Sequence, residues 1–400
     1  MTQSHPLAKI FSGSLLVAGT AIGAGMLALP IATAFGGFWP AVAICFLCWV
    51  FMAATGLLLL EVCLWLPQDA NMVSMARDLL GKPGKMISWA LYLFLFYCLT
   101  IAYVAGGGGF VGAVFGGALS PWLSTLLFTA IFSPFVYLGT RAVDRFNLIL
   151  MLGLGVSYFV FILVGFKHVE VPLLTAAHWP AAALAMPVIF TSFSFQGIVP
   201  SLTSYFKRDA ALIRKAIIFG TSIPFIIYVI WEFLILGIVP LEGPGGLREA
   251  HMQGVSAVIP LKDALKSPWV YAVGQTFAFF ALTTSFLGVT LGLVDFLADG
   301  LKMAKVGLNK VLLCVVVFLP PTLIAMFNPG IFIKALTYAG GIGCALLLGL
   351  LPIVMVFVGR YRKHYGTRLS QLPGGRPMLF FLFCFVLFEL IVEAINEMVF

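Results

Sequence analysis

The segment Gly19–Pro30, with the sequence GTAIGAGMLALP, lies inside the first long apolar stretch of the chain. Gly19, Gly23 and Gly25 fall within seven residues, where a plain membrane helix would carry leucine and valine. Glycine lowers the cost of leaving helical geometry, and irregular backbone at membrane depth requires surrounding protein or a water-filled cavity. The segment predicts either a broken helix, whose free backbone groups can hold a carboxylate, an ammonium or an ion, or a close helix-packing interface.

Composition places the chain in a membrane. Of its 400 residues, 62% are hydrophobic and 10% are charged, whereas a soluble domain has about 25% charged residues. The net charge of +8 would suit a nucleic-acid partner, but the basic residues fall in short loops on one side, which is typical of membrane topology. The first apolar stretch lacks a small-residue cleavage site, so we expect no cleavable signal peptide. We therefore expect membrane lipids, and no nucleic acid, as partners.

Eleven stretches are long and apolar enough to cross a bilayer as helices. Their approximate bounds are 10–34, 38–66, 86–114, 121–139, 146–166, 181–206, 212–239, 268–298, 309–327, 331–358 and 377–398. With a cytoplasmic N-terminus, eighteen of the 23 lysines and arginines fall on the inner side and five on the outer side. This asymmetry predicts an odd number of spans and a periplasmic C-terminus. The long outer loop 240–267 contains LREAHMQ and PLKDAL, which predict short surface helices.

A second interruption lies in the sixth span. Residues 190–200 read FTSFSFQGIVP, so two serines, a glutamine and a glycine lie mid-span, and a proline lies on each side. Breaks in spans 1 and 6 divide the chain into two halves of opposite topology, approximately 10–166 and 181–358, with 377–398 as an extra peripheral helix. Interrupted segments at corresponding positions of inverted halves point to a transport site at the bilayer midplane. We therefore treat residues 1–400 as a single transmembrane transporter domain.

Three segments resemble one known family. The first break, the LLLLEV end of the second span at 57–62 and the FSFQG break at 193–197 resemble the hydroxy/aromatic amino acid permeases. These are the bacterial tyrosine- and tryptophan-specific permeases of the amino acid–polyamine–organocation superfamily, and the chain looks most like the tyrosine permeases. The resemblance covers essentially the whole chain. It implies an all-α integral membrane protein of eleven transmembrane helices, with a LeuT-type 5+5 inverted repeat, broken helices 1 and 6, and one extra C-terminal helix.

The resemblance also implies a function and a site. Such a permease imports an aromatic amino acid, here tyrosine before tryptophan, across the inner membrane by proton-coupled symport with alternating access. The substrate carboxylate would meet backbone N–H groups around Ile22, Gly23, Ala24 and Gly25, and the ammonium would meet carbonyls around Thr20, Ala21, Phe190, Thr191 and Ser194. Because neither break contains Arg, Lys, Asp or Glu, backbone dipoles must satisfy both charges, which favours a neutral amino acid.

The substrate side chain requires an apolar, aromatic pocket with one or two polar groups. Candidates are Phe193, Phe195 and Gln196 in the sixth span, with Tyr97 and Tyr103 in the third. The chain has 38 phenylalanines, so any one of them more often packs or faces lipid. Gln196 is the favoured reader of a phenol, because an amide at mid-membrane depth needs a partner.

The coupling ion is left open between a proton and sodium. In sodium-coupled relatives, hydroxyls of span 8 and carbonyls of span 1 bind the cation, which here implies Thr284 and Ser285 with Gly19 and Ile22. Alternatively, these hydroxyls bond back to their own helix, which is common in membrane helices. Some proton-coupled relatives carry a lysine in the fifth span, whereas the fifth span here has none.

The proton carrier is sought among the carboxylates of the apolar stretches, because such groups are functional candidates. They are Glu61, Glu232, Asp295, Glu389 and Glu393. All five lie toward the ends of their spans, which weakens the argument that they are functional. Glu61, near the inner end of the second span, is the first choice, and a structural hydrogen-bonding role is its alternative.

Other function classes are less well supported. A membrane enzyme would need His, Cys, Asp or Glu side chains clustered around one cavity, but the five histidines lie in or near loops. The seven cysteines lie in or at the ends of apolar runs, and Cys45-x-x-Cys48 has no second pair to complete a metal site. We therefore expect no enzyme, no cofactor and no metal. A sodium-coupled amino acid symporter and an amino acid exchanger of the same fold stay open as alternatives.

Overall fold

The computed structural model describes residues 6–67, 70–265, 267–365 and 369–399. Lys266 and Arg368, which were part of the count of basic residues, lie outside the described residues. Within those ranges the regular secondary structure is entirely helical. This is expected of apolar segments in a bilayer, because a helix satisfies its backbone N–H and C=O groups within one segment.

Seventeen α-helices follow one another along the chain. They are α1 Pro6–Ala21, α2 Gly25–Thr33, α3 Phe38–Trp65, α4 Met72–Val114, α5 Pro121–Leu138, α6 Thr140–Gly165, α7 Trp179–Ala183, α8 Met186–Ser192, α9 Val199–Tyr205, α10 Ala210–Ile238, α11 Leu247–Gln253, α12 Leu261–Ala264, α13 Pro268–Gly300, α14 Gly307–Phe327, α15 Ile331–Tyr338, α16 Leu351–Tyr361 and α17 Gly375–Val399. Short 3₁₀-helices cover Phe166–His168, Val171–Thr175 and Gln196–Ile198, and a π-helix covers Ala339–Leu350.

Nine spans of the described chain are long and apolar enough to cross a membrane, and α1 with α2 form a tenth crossing that is bent by 61°. The bend lies between Ala21 and Gly25, where the glycine-rich segment predicts a break. The predicted sixth span, 181–206, is divided among the short helices α7, α8 and α9 and a 3₁₀ turn. Both interruptions are therefore present, whereas the total of eleven spans and the two five-span halves stay predictions.

The two broken spans lie at the centre of the molecule. Eight of the nine residues of α2 are buried, and so are all seven residues of α8. Around them, α10 packs along α1 and α3, α13 packs along α4 and α6, and the π-helix packs against α8. The interrupted backbone is thus enclosed by protein, which is the condition under which irregular structure is tolerated at membrane depth.

Glycine allows the closest of these contacts. A Cβ atom placed on Gly340 of the π-helix would lie 1.6 Å from the carbonyl oxygen of Pro187 in α8, so no larger residue fits there. At Gly81 the backbone has φ 78°, and this kink divides α4 into a polar N-terminal segment and a long apolar helix. Asn71 caps this N-terminal segment of α4 by accepting a hydrogen bond from Ser74 N–H at 2.9 Å.

The outer loop differs from the surface helices that its sequence predicts. Its helices α11 and α12 form where expected, but Leu247, Ala257 and Leu261 are buried. Between them, Ala257 N–H donates to the carbonyl oxygen of Leu27 at 2.9 Å. The loop therefore folds onto the protein, because α11 packs against α2 and Ala257 is bonded to Leu27 of that helix.

Candidate functional site

The first break leaves backbone donors unpaired. Ile22 N–H still bonds to Ala18 O at 2.9 Å, and Ala24 N–H donates to Ser285 Oγ of α13 at 3.0 Å. The N–H groups of Gly23 and Gly25 have no acceptor in the described part of the chain. They lie at the N-terminal end of α2, where the helix dipole favours a negative charge. The predicted carboxylate contacts of Ile22–Gly25 are therefore available at Gly23 and Gly25.

Both glycines also permit close approach of neighbouring helices. A Cβ atom on Gly23 would lie 2.3 Å from Ser285 Oγ, and one on Gly25 would lie 2.9 Å from Ser192 Oγ of α8. Gly19 differs, since its nearest neighbour would be the Met151 methyl group at the ordinary contact distance of 3.6 Å. The glycine-rich segment thus serves both of the roles that its sequence suggests, because it breaks the helix and brings three elements together.

Tyr228 joins the two breaks. Its hydroxyl, on the buried face of α10, lies 2.7 Å from Ala21 O and 2.8 Å from Ser192 O, which end α1 and α8 respectively. A phenol has one proton to donate, so the two carbonyl groups share it. The ring packs edge-on against Phe193 with centroids 5.1 Å apart. Sequence reasoning missed Tyr228, although a hydroxyl inside an apolar span always raises the question of its partner.

Several carbonyls expected to receive the substrate ammonium are already bonded. Thr191 O accepts the N–H of Ser194 at 3.2 Å and its hydroxyl at 2.7 Å, so both lone pairs are used. Ala21 O accepts from Tyr228 and keeps one lone pair. Thr20 O and Phe190 O receive no hydrogen bond from any described residue. The expected ammonium acceptors are corrected at Thr191, and they are narrowed to Thr20 O, Phe190 O, Ser194 O and the second lone pair of Ala21 O.

Gln196 fixes the second break to α3. Its Nε2 donates to Met52 O at 3.2 Å and to Thr55 Oγ1 at 3.1 Å, while its Oε1 accepts Phe195 N–H at 3.0 Å. The carboxamide is fully buried and is bonded on both sides. The structure therefore corrects the expected role of Gln196 as the reader of a phenol, because its donors and acceptor are already used within the protein.

Two aromatic rings of the sixth span pack on α3, namely the side-chain candidate Phe195 and Phe190, which was expected to contribute only its carbonyl. The Phe195 ring fits against Gly56, where a Cβ atom would lie 2.4 Å from it. Phe190 stacks on Phe51 with centroids 5.2 Å apart. Both rings therefore serve as packing residues that hold the second break in place, although their backbone groups stay at the break.

Of the remaining aromatic candidates, one points away from the breaks and two lie beside them. Tyr97 donates its hydroxyl to Val316 O of α14 at 2.7 Å, so its phenol is bonded to that helix instead of pointing into the breaks. Tyr103, six residues further along α4, is buried and faces Ser285. Phe193 lies against Tyr228. The aromatic side chains that lie next to the breaks are therefore Phe193, Tyr103 and Tyr228. The expected role of Tyr97 in the substrate pocket is corrected, because its hydroxyl is bonded to α14.

The hydroxyls proposed for a sodium site behave differently from one another. Thr284 Oγ1 donates to Phe280 O at 2.8 Å and lies 3.1 Å from Ala281 O, so it bonds back to its own helix. Ser285 Oγ instead reaches across to Ala24 N–H. A hydroxyl that already accepts a backbone N–H has one lone pair left for a cation. Thr284 therefore bonds back to its own helix, as the alternative to a sodium site predicts, whereas Ser285 does not.

Glu61 is held by a cation. Its two oxygens accept from Arg360 Nε and a terminal nitrogen at 2.7 Å and 2.6 Å, and Gln371 N–H adds a third bond at 3.1 Å. Both side chains are buried, with relative exposures of 0% for Glu61 and 2% for Arg360. Such a pair is costly to break, because the remaining charge would stay buried and uncompensated. The structure thus gives Glu61 the structural role in place of the proton-carrying one.

The other carboxylates of the spans fall into two groups. Asp295 forms an exposed ion pair with Lys305 at 2.7 Å. Glu232, Glu389 and Glu393 are buried, and one oxygen of Glu232 and both oxygens of the other two have no partner among the residues described. Across those residues, no group of three or more His, Cys, Asp or Glu side chains is arranged to hold a metal ion.

Comparison with known proteins agrees with this architecture. The model of the tryptophan/tyrosine permease family matches residues 7–393. The tryptophan-specific transport protein of Haemophilus influenzae is 31% identical, over 96% of this chain and 95% of its own length. Tyrosine-specific transport system 2 of the same organism is 32% identical, over 92% of this chain and 91% of its own.

A solved structure shares the fold. The crystal structure of MhsT in complex with L-phenylalanine superposes with a TM-score of 0.63 at 13% identity, and the match covers 97% of this chain and 98% of that chain. At this identity the likeness shows a LeuT-type fold and nothing further. From its family match, its relatives and its fold, the chain belongs to the tryptophan/tyrosine permease family, whose members are transporters rather than enzymes.

Proposed function

We propose that this protein imports an aromatic amino acid, tyrosine first and tryptophan next, across the bacterial inner membrane by proton symport with alternating access. One observation carries the proposal. Two broken helices meet at Tyr228, they leave the N–H groups of Gly23 and Gly25 unpaired, and neither break contains a charged side chain. Backbone dipoles arranged in this way suit a zwitterion and disfavour a substrate with additional charge.

The proposed binding mode follows from the unpaired groups. The carboxylate of the substrate accepts hydrogen bonds from Gly23 and Gly25 at the start of α2. Its ammonium donates to Thr20 O and Phe190 O, which receive no bond from the residues described. A substrate held in this way connects the two breaks, and each satisfied charge replaces water that would otherwise have to enter the membrane interior.

An aromatic side chain is supported by the neighbours of the breaks and by the relatives. Phe193 lies against Tyr228 and Tyr103 lies beside Ser285, so aromatic rings are present next to the breaks. The names of the related proteins specify tryptophan in one case and tyrosine in another, and the similar fold of MhsT was solved with phenylalanine. The proposed order of tyrosine before tryptophan rests on the sequence resemblance.

The proposed proton coupling rests on the sequence resemblance, and the hydroxyls of α13 do not decide between a proton and sodium. Thr284 donates its proton to its own helix and keeps both lone pairs, and Ser285 keeps one lone pair after accepting Ala24 N–H, so both hydroxyl oxygens could still bind a cation. Sodium symport, or exchange of amino acids, is the second candidate, because Thr283 of the same helix has a buried hydroxyl with no described partner. We also propose a cytoplasmic N-terminus and a periplasmic C-terminus, from the distribution of basic residues.

Uptake of radiolabelled tyrosine into proteoliposomes tests the proposal. The vesicles contain no sodium, carry an inward proton gradient, and receive unlabelled tyrosine, tryptophan or phenylalanine as competitors. We expect accumulation that a protonophore abolishes and that tyrosine inhibits best. Accumulation that requires sodium would show that sodium, and not the proton, is the coupling ion. Stronger inhibition by tryptophan would show that tryptophan is preferred over tyrosine. Exchange without net accumulation under either gradient would contradict symport.

A further inference from the structure

Glu232 occupies an unusual position in α10. Its side chain is 1% exposed, and its Oε1 has no hydrogen-bond partner among the residues that the structure describes. Its Oε2 lies 2.7 Å from the hydroxyl of Thr33, the last residue of α2. It forms no ion pair with a described residue. A buried carboxylate without a cation is strongly disfavoured, so this environment selects the neutral carboxyl group.

The bonds of Thr33 differ between the two states of this carboxyl group. The Thr33 hydroxyl also lies 2.9 Å from Leu29 O, and it has a single proton to donate. When Glu232 is neutral, its own proton can be donated to Thr33 Oγ1 while Thr33 donates to Leu29 O, so both hydrogen bonds of the Thr33 hydroxyl are kept. When Glu232 is ionised, Thr33 must turn its proton to Glu232 and release Leu29 O. Loss of the proton therefore removes one hydrogen bond from α2.

Few titratable groups face Glu232. Cys45 of α3 faces the carboxyl group, and Tyr158 of α6, which donates to Ile227 O at 2.8 Å, contacts α10 about one turn before it. The charged or titratable side chains on the nearby outer segments are exposed, namely Lys167, His168, Glu170 and Lys262. Glu61, on α3, is neutralised by Arg360. Protonation at this position is therefore not masked by a neighbouring buried charge.

Glu232 is connected to the proposed substrate site through two elements. On α10 it follows Tyr228 by four residues, so both side chains lie on one face, and Tyr228 holds the carbonyls of the two breaks. On α2, Thr33 is at one end and Gly25, with its unpaired N–H, is at the other. A proton at Glu232 and a substrate at Gly25 thus act on opposite ends of the same nine-residue helix.

We propose that Glu232 is the proton-binding residue of the transport cycle, an inference that rests on the proposed proton symport. The carboxyl group is protonated from the outer side when the loop that covers α2 through Ala257 opens. The neutral form then donates to Thr33 and stabilises α2 in the closed arrangement. After α2 moves, water reaches the group on the inner side and the proton leaves. The proton at Glu232 and the substrate at Gly25 then favour the same arrangement of α2, which is the requirement for coupling.

Glu232→Gln tests the inference, because an amide keeps the donor to Thr33 and cannot ionise. Purified variants are measured in proteoliposomes for two activities, namely proton-driven accumulation of tyrosine and counterflow exchange, which needs no proton gradient. We expect Glu232→Gln to retain exchange, to lose accumulation, and to lose the pH dependence of uptake. Glu393→Gln is the matched control, since Glu393 is also a buried carboxyl group with unpartnered oxygens, and it should keep all three.

The outcomes separate this inference from the proposed function. Absence of proton-driven accumulation in the unmodified protein, with exchange present, would contradict proton symport itself. Accumulation by Glu232→Gln, or its loss in Glu393→Gln alone, would overturn the assignment to Glu232. Thr33→Val, which removes the hydroxyl at similar size, is a second variant, and we expect it to change the pH profile of uptake. Thr290→Val is its control, because Thr290 donates only within its own helix; an unchanged profile in Thr33→Val would also overturn the inference.

Discussion

The hydroxyl of Tyr228 lies 2.8 Å from the carbonyl oxygen of Ser192, although the two residues belong to different spans. The same hydroxyl lies 2.7 Å from Ala21 O, so one side chain contacts the interrupted ends of both broken helices. Any movement of one break relative to the other must therefore break or exchange a hydrogen bond to this group. A single buried donor shared by two carbonyls is well suited to holding the breaks in one of two arrangements.

Tyr228→Phe removes the shared donor and keeps the ring that packs on Phe193. Leaving buried carbonyl groups without a donor costs about 1–3 kcal/mol. We expect a lower thermal unfolding temperature in detergent and a reduced rate of tyrosine uptake in proteoliposomes. Tyr158→Phe is the matched control, because its hydroxyl donates to Ile227 O and to neither of the carbonyls that end α1 and α8. Equal effects of the two substitutions on uptake would contradict a special role for Tyr228.

Gly23→Ala tests whether close approach at the first break is required. The added Cβ atom would lie 2.3 Å from Ser285 Oγ, so α1 and α13 must separate or the Ser285 bond to Ala24 N–H must be lost. We expect uptake to fall severely while the protein still inserts and purifies, measured by uptake and by size-exclusion chromatography. Gly288→Ala, on the same helix as Ser285, adds a methyl group to open space and should leave uptake unchanged. Normal uptake by Gly23→Ala would contradict the requirement for close approach between Gly23 and Ser285 at the first break.

Local chemistry made both breaks predictable. Glycine and proline act on the backbone of their own segment, so the bend between Ala21 and Gly25 and the interruption at 193–195 follow from nearby residues. The long apolar runs likewise predict helices, because a bilayer allows few other structures. These features depend on neighbours in sequence, and a single sequence contains that information.

The partners of polar side chains were not predictable in the same way. Gln196 bonds to Met52 and Thr55, and Glu61 pairs with Arg360, which is 299 positions away. Which of many buried groups meet depends on the relative placement of whole helices. Sequence therefore identified Gln196 and Glu61 as polar groups that need partners, but it assigned them to substrate and proton because the protein partners were unknown.

Gln196→Ala now has an expected outcome that differs from that of a phenol reader. Its carboxamide fixes the second break to α3, so its loss should loosen the site for every substrate. We expect uptake of tyrosine and of phenylalanine to fall by similar factors, measured as kcat/KM for each. Thr55→Val, which removes one of the acceptors of Gln196, should produce a smaller loss with the same lack of selectivity. A selective loss of tyrosine uptake would instead show that Gln196 recognises the phenol of the substrate.

Glu61→Gln tests the structural role of the buried ion pair with Arg360. Removing one partner of such a pair typically costs about 3–5 kcal/mol, because the other charge stays buried without compensation. We expect a marked loss of thermal stability in detergent, while the protein that remains folded keeps the pH dependence of its uptake. The double variant Glu61→Gln, Arg360→Gln leaves no unpaired charge and should recover part of the lost stability. If Glu61→Gln kept its stability and lost the pH dependence of uptake, Glu61 and not Glu232 would carry the proton, since a structural pair affects folding and a proton carrier affects coupling.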